Sequence, residues 1–294
     1  MEEKKSKAII YKILLAVFLV IFIGSTSILV SDWYREKKAQ AKFENLSGLV
    51  EETETENKIE PETESEIQTE TEVDELAERG IVVPDKNLDW NALYEENEHI
   101  IAWIYIPGTK IDYPILQHPE IESYYLDHNL DGSVGYPGCI YMQLLNNKNF
   151  TDYNTILYGH NMKNKTMFAT LHKFEDAMFL EENHYVYIYT PKTTLVYDIF
   201  GAYQYSNKHI LYEYDFTVDI DCQAYIDMIF NIRDMNANIR REVEVTKDSP
   251  ILTMSTCIAG KKQNRYIVNA VLVNKSDLEG YVGPMSLEEL EALE

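Results

Sequence analysis

Nineteen consecutive residues without a charge, Ile13 to Ser31 ("ILLAVFLVIFIGSTSILVS"), lie between Lys12 and Asp32. A water-exposed helix does not carry such a run, whereas a helix spanning a bilayer core needs about 20 apolar residues. Trp33 and Tyr34 follow at once, and both residue types favour a membrane interface. A cleaved signal peptide is the competing reading, with "GSTS" (24–27) as a small-residue cleavage zone. The apolar run resumes at Ile28, Leu29 and Val30, which favours an uncleaved anchor. Residues 1–12 then form a cytoplasmic N-terminus and residues 13–31 a single-pass transmembrane signal-anchor. Four lysines precede the span, but Arg35, Lys37, Lys38 and Lys42 follow it closely, so charge counting leaves the orientation nearly balanced. An N-terminal anchor ahead of a large C-terminal domain favours an exterior domain.

Beyond the span the chain is acidic. Between Glu51 and Glu75 twelve carboxylates face one lysine, with almost no large apolar side chain among them. Such a stretch cannot bury enough surface to offset the entropy of ordering it, so residues 32–86 read as an extracellular acidic linker. Residues 87–294 still carry -15 of the total charge of -23. That balance disfavours nucleic acid and suits a cationic or amine-bearing partner.

Near Val83 the composition changes to that of a folded domain. Leu88, Trp90, Leu93 and Tyr94 fall in helical register. "IIAWIYIPGTKIDYPILQ" (100–117) then reads as strand, Pro-Gly turn and strand. Further strand candidates are "GCIYMQ", "NTILYG", "HYVYIYT", "TLVYDIFGAYQY", "ILTMST" and "RYIVNAVLV". Many of the 22 tyrosines lie in these runs, where half-buried pleated surfaces accommodate them. Inside the domain only residues 218–235 look clearly helical. So many strands with so few helices predict a mainly β fold, a closed barrel or a sandwich.

Three cysteines are too few for a disulfide framework, and neither a CxxC nor a Cys/His pair has zinc spacing. Cys139, in a strand, and Cys222, in the helical segment, read as packing residues. Cys257 ends the strand "PILTMSTC", and Arg265 opens the next one eight residues later. Of seven histidines, six (among them His172 and His209) lie in polar, loop-like or helical surroundings and read as solvated. His160 instead closes the strand "NTILYG", a boundary where a ring can be both rigid and exposed. His160, Cys257 and Arg265 could therefore meet at one rim of a barrel. A thiolate attacks amide carbonyls, an imidazolium protonates a departing amine, and a guanidinium fork holds an oxyanion.

The residues "WIYIPGTKIDYPILQ" (103–117), "YYLDHNLDGSVGYPGCIYM" (124–142), "NTILYGHNM" (154–162), "MFATL" (167–171) and "LTMSTC" followed by "RYIV" resemble the class B sortases. These are membrane-anchored cysteine transpeptidases of Gram-positive bacteria. The resemblance covers roughly residues 87–275, and the helix ahead of the cysteine strand sets it apart from the smaller class A pattern. It implies a sortase-type eight-stranded β-barrel with an N-terminal helical extension and an internal helix, held outside the membrane by the N-terminal span. It makes Cys257 the nucleophile, His160 the general acid and base, and Arg265 the residue that stabilises substrate and oxyanion. Ser255 is either a substrate contact or a strand residue facing solvent. The loop "IAGKKQN" (258–264) after the cysteine departs from relatives with acidic residues there, so substrate preference does not transfer.

The implied reaction cleaves a C-terminal sorting signal of a secreted protein after Thr, forms a thioester, and passes the acyl group to a peptidoglycan cross-bridge amine. The chemistry calls for no metal or organic cofactor. Three alternatives remain open at this stage: a pilin-polymerising sortase whose acceptor is a lysine, a cysteine peptidase using water, and a non-catalytic anchored β-domain that binds a wall component. Residues 276–294 form a C-terminal tail, whose last stretch "SLEELEALE" (286–294) either docks as a helix or frays.

Overall fold

The computed structural model describes residues 2–48, 75–286 and 289, and for residues 2–10, 47 and 48 the backbone alone. The strands are β1 (Ile100–Tyr105), β2 (Asp112–Leu116), β3 (Ile140–Met142), β4 (Asn154–Tyr158), β5 (Tyr185–Tyr189), β6 (Thr194–Ser206), β7 (Asn238–Ile239), β8 (Ile251–Ile258) and β9 (Lys261–Leu272). Their order is β5-β1-β2-β3-β4-β8-β9-β6, and pairing of β5 with β6 closes these eight into a barrel; β7 adds two residues to β6. Each of the eight strand runs anticipated above has its counterpart in the barrel. Two neighbour pairs are parallel, β2–β3 and β4–β8.

Alternation along the strands separates two cores. Leu157, Leu252, Met254, Tyr266 and Val268 point into the barrel with Ile104 and Ile188. The residues between them, Ile156, Ile251, Ile267 and Val271, face outward beneath the helix Asp219–Phe230, whose Cys222, Tyr225, Ile226 and Ile229 cover them. A buried polar network ties this helix to the sheet. Asn269 donates to Tyr225 (3.1 Å) and to Thr253 (2.7 Å), and Thr253 donates to Asn154 (2.7 Å). Ahead of β1 the short helix Trp90–Glu96 starts on Asp89, whose carboxylate accepts from the amides of Asn91 (3.0 Å) and Ala92 (3.1 Å).

Segments on both sides of residues 87–275 also pack on the barrel. The N-terminal helix runs unbroken from Glu2 to Gly48. Its apolar stretch exposes Ile13, Leu15, Phe18 and Ile21, while Ser25, Thr26 and Ser27 return their hydroxyl protons to main-chain carbonyls of the preceding turn. Further along, Ala39, Phe43 and Leu46 are buried, and the Phe43 ring meets Tyr113 of β2 edge-on at 5.6 Å. Lys42 pairs with Glu96 at 2.6 Å. After the acidic stretch, residues 49–74 of which lie outside the described residues, Lys86 is buried against Asp112 at 3.0 Å. At the other end Leu278 is buried and Met285 pairs with Val218. The 3-residue spacing of Phe43 and Leu46 is a helical stripe that the acidic run beyond it masks in a composition-based reading.

Candidate active site

β4 and β8 run in the same direction with Tyr158 opposite Ser255, so the residues that follow leave the barrel at one rim. The ladder continues one step as the Gly159 amide donates to the Ser255 carbonyl (3.3 Å), and Thr256 Oγ1 donates back to the Gly159 carbonyl (2.8 Å). Residue 159 has to be glycine, because a Cβ there would lie 2.8 Å from the Phe168 ring. His160 is next on β4's side and Cys257 on β8's, and Arg265 pairs with Cys257 across the β8–β9 hairpin. The structure therefore brings His160, Cys257 and Arg265 to one rim.

Cys257 is the exposed thiol; Cys139 and Cys222 are buried, as their packing role requires. By alternation Cys257 shares the outer face with Ser255 and Thr253, just past the edge of the helical cover. Ser255 is itself buried, so the reading that put it in solvent is corrected: the Tyr158 and Ile267 strands flank it on both sides. Tyr141 and Tyr158 stand beside it with ring centres 5.4 Å apart. Burial pushes the Tyr141 hydroxyl up to about 12, and the charges of both Cys257 and Arg265 also act on it.

His160 Nε2 lies 2.6 Å from the Leu126 carbonyl oxygen. A carbonyl only accepts, so Nε2 carries a proton and Nδ1 holds the free lone pair of the neutral ring. Gly138, in the left-handed region at φ +66°, keeps that carbonyl in place; a Cβ there would come within 2.7 Å of it. Burial depresses the His160 pKa, with the Leu126 carbonyl and the charge of Asp127 pushing the other way. The Tyr136 ring covers His160 at 5.0 Å. Arg265 Nη1 donates to the carbonyls of Asn264 (3.0 Å) and Lys262 (3.3 Å), which fixes the guanidinium over its own hairpin.

A family model described as Sortase domain matches residues 104–273. The chain belongs to the sortase family. Sortase B of Listeria monocytogenes is 32% identical to this sortase over 185 residues, 62% of this chain and 73% of the relative. A Staphylococcus aureus sortase B-substrate complex superposes with a TM-score of 0.56 at 28% identity, covering 63% of this chain and 84% of that one. Sortase B from Bacillus anthracis in complex with AAEK1 gives a TM-score of 0.60 at 26% identity, covering 83% and 98%.

Three side chains around the site of this sortase escaped the sequence reading. Asn161 Nδ2 donates to the Cys257 carbonyl at 2.8 Å, and His172 Nε2 lies 3.1 Å from the same oxygen. His172 is not a solvated histidine: its side chain is 19% exposed and stacks on Tyr266 at 4.8 Å. His209, likewise read as solvated, sits among Gln143, Glu122 (3.3 Å) and Tyr158 (3.4 Å). The sequence offers a signal only for Asn161, which follows the motif histidine directly; the other two arrive through long-range packing.

Proposed function

We propose that Cys257, His160 and Arg265 carry out sortase transpeptidation in this chain, on a C-terminal sorting signal, with a cell-wall amine as acceptor. The observation that supports the reading is the parallel β4–β8 ladder, at whose rim one strand leads into His160, its Nε2 on the Leu126 carbonyl, and the other carries the exposed Cys257 thiol. His160 Nδ1 takes the Cys257 proton as the sulfur attacks the threonine carbonyl. The remaining donors of the Arg265 fork then face the oxyanion. His160 passes its proton to the departing amine, the C–N bond breaks, and a thioester remains on Cys257. The acceptor amine attacks the thioester, gives a proton to His160, and the proton returns to the sulfur as the new amide is released. The class B reading is supported by the relatives, one of which was solved as a substrate complex.

The proposed setting is the outer face of a membrane, with residues 1–12 cytoplasmic, 13–31 in the bilayer and the barrel outside. The exposed apolar flank of the N-terminal helix supports this. The test is mass spectrometry of the full chain in detergent, incubated with sorting-signal peptides and an amine acceptor. A thioester on Cys257 and an amine-ligated product are expected. Hydrolysis with no ligation in the presence of any acceptor amine would overturn the transpeptidase reading. Cys257→Ala, His160→Ala and Arg265→Ala should each abolish turnover while the melting transition stays in place.

A further inference from the structure

In a parallel ladder the bond after Gly159 N–H to Ser255 would run from the amide of residue 161 to the Cys257 carbonyl. The chain has already left the strand there, since Asn161 pairs with Met167 on the way to the 3-10 helix Phe168–Glu175. The side-chain amide of Asn161 takes over that bond at 2.8 Å. His172, on the 3-10 helix, brings Nε2 to 3.1 Å from the same carbonyl and 3.0 Å from Asn161 Nδ2. Its Nδ1 is 2.7 Å from Glu175 Oε1, and its ring lies on Tyr266, the neighbour of Arg265. Phe168, Leu171 and Phe174 of the same helix are buried in the barrel core, so the ring has a rigid base.

We propose that Asn161, His172 and Glu175 form a positioning relay that holds the main chain of Cys257 in register with His160. Cys257 needs such a hold. The β8–β9 register shifts immediately after it, and the hairpin turns two residues later. A strand end of this kind opens readily, and a nucleophile displaced by ~1 Å loses much of its reactivity. The ring nitrogen of His172 sits between a group that only donates and one that only accepts. With Nδ1–H on Glu175 and Nε2 unprotonated, it accepts from Asn161; with Nε2 protonated, it donates to the Cys257 carbonyl. In both states the three groups stay together, and Glu175 orients the ring. The inference rests on the transpeptidase reading of Cys257 and adds residues that never touch the substrate.

The test compares wild-type, His172→Ala, His172→Gln, Asn161→Ala and Glu175→Gln chains, full length in detergent. It measures single-turnover thioester formation on a sorting-signal peptide and the rate at which iodoacetamide alkylates Cys257. His172→Ala and Asn161→Ala should lower kcat about tenfold or more while KM stays within about twofold. Alkylation should slow in parallel. His172→Gln, whose amide reaches the same carbonyl, should restore a large part of both rates. Glu175→Gln, a change at a half-exposed side chain, should give a smaller loss with an unchanged melting temperature. Wild-type kcat and alkylation in His172→Ala would overturn the relay. A loss that follows the melting temperature and that glutamine does not rescue would reduce it to a packing contact, which also overturns it. A wild-type chain that forms no thioester would instead remove the underlying reading of Cys257.

Discussion

Burial pushes the Cys139 thiol up and holds that of Cys222 at about 12, so neither ionises near neutral pH, whereas Cys257 stands in solvent. A maleimide should therefore add once per native chain, and Cys257→Ala should add none; intact-mass spectrometry reads both. His160 makes a second prediction. Burial is the main reason its pKa falls below the ordinary 6.5, so below that value the unfolded chain takes up a proton that the folded chain resists. Stability should therefore decline as pH falls from 6.5 toward the folded pKa, and His160→Asn should flatten that slope in urea titrations between pH 5 and 7. The exposed strand-end position of Cys257 was legible because it closes an apolar run just ahead of the hairpin to Arg265. The histidines at 172 and 209 were not legible, because decisive neighbours of each, Cys257 and Tyr266 for His172 and Glu122 and Tyr158 for His209, come from distant chain segments.

At the scale of elements, the parallel β4–β8 pair sets the site, and the helix Asp219–Phe230 is the cover that ends short of it. The network of Tyr225, Asn269, Thr253 and Asn154 locks that cover down. Tyr225→Phe should destabilise the fold by ~1 kcal/mol, seen as a lower urea midpoint, and leave thioester formation intact. Strand positions were readable from β-branched and tyrosine-rich runs bounded by turns. Their pairing was not, since a parallel neighbour is defined by a crossover of roughly ninety residues between Tyr158 and Ile251. The 3-10 helix Phe168–Glu175 also stayed hidden: "MFATL" stood out only by resemblance, because eight residues with eclipsed side chains follow neither a 3.6 nor a 2.0 period.

Over the whole molecule, the N-terminal helix adds its own face to the barrel through Phe43 and Leu46. Phe43→Ala should lower the melting temperature toward that of a chain beginning at residue 75, as scanning calorimetry of both would establish. The loss is bounded, because the helix can undock while the barrel stays closed.

The same contact changes what the acidic stretch can do. Gly48 and Glu75, the described residues on either side of it, both belong to segments that already touch the barrel domain, Glu75 through Ser276. Its contour length therefore does not separate barrel from bilayer. Phe43 lies twelve helical steps beyond Ser31, a rise of ~18 Å. With the span in a bilayer, this helix would mount the enzyme on a short stiff post at one working height. On that arrangement a client tail would meet Cys257 only where it crosses that height.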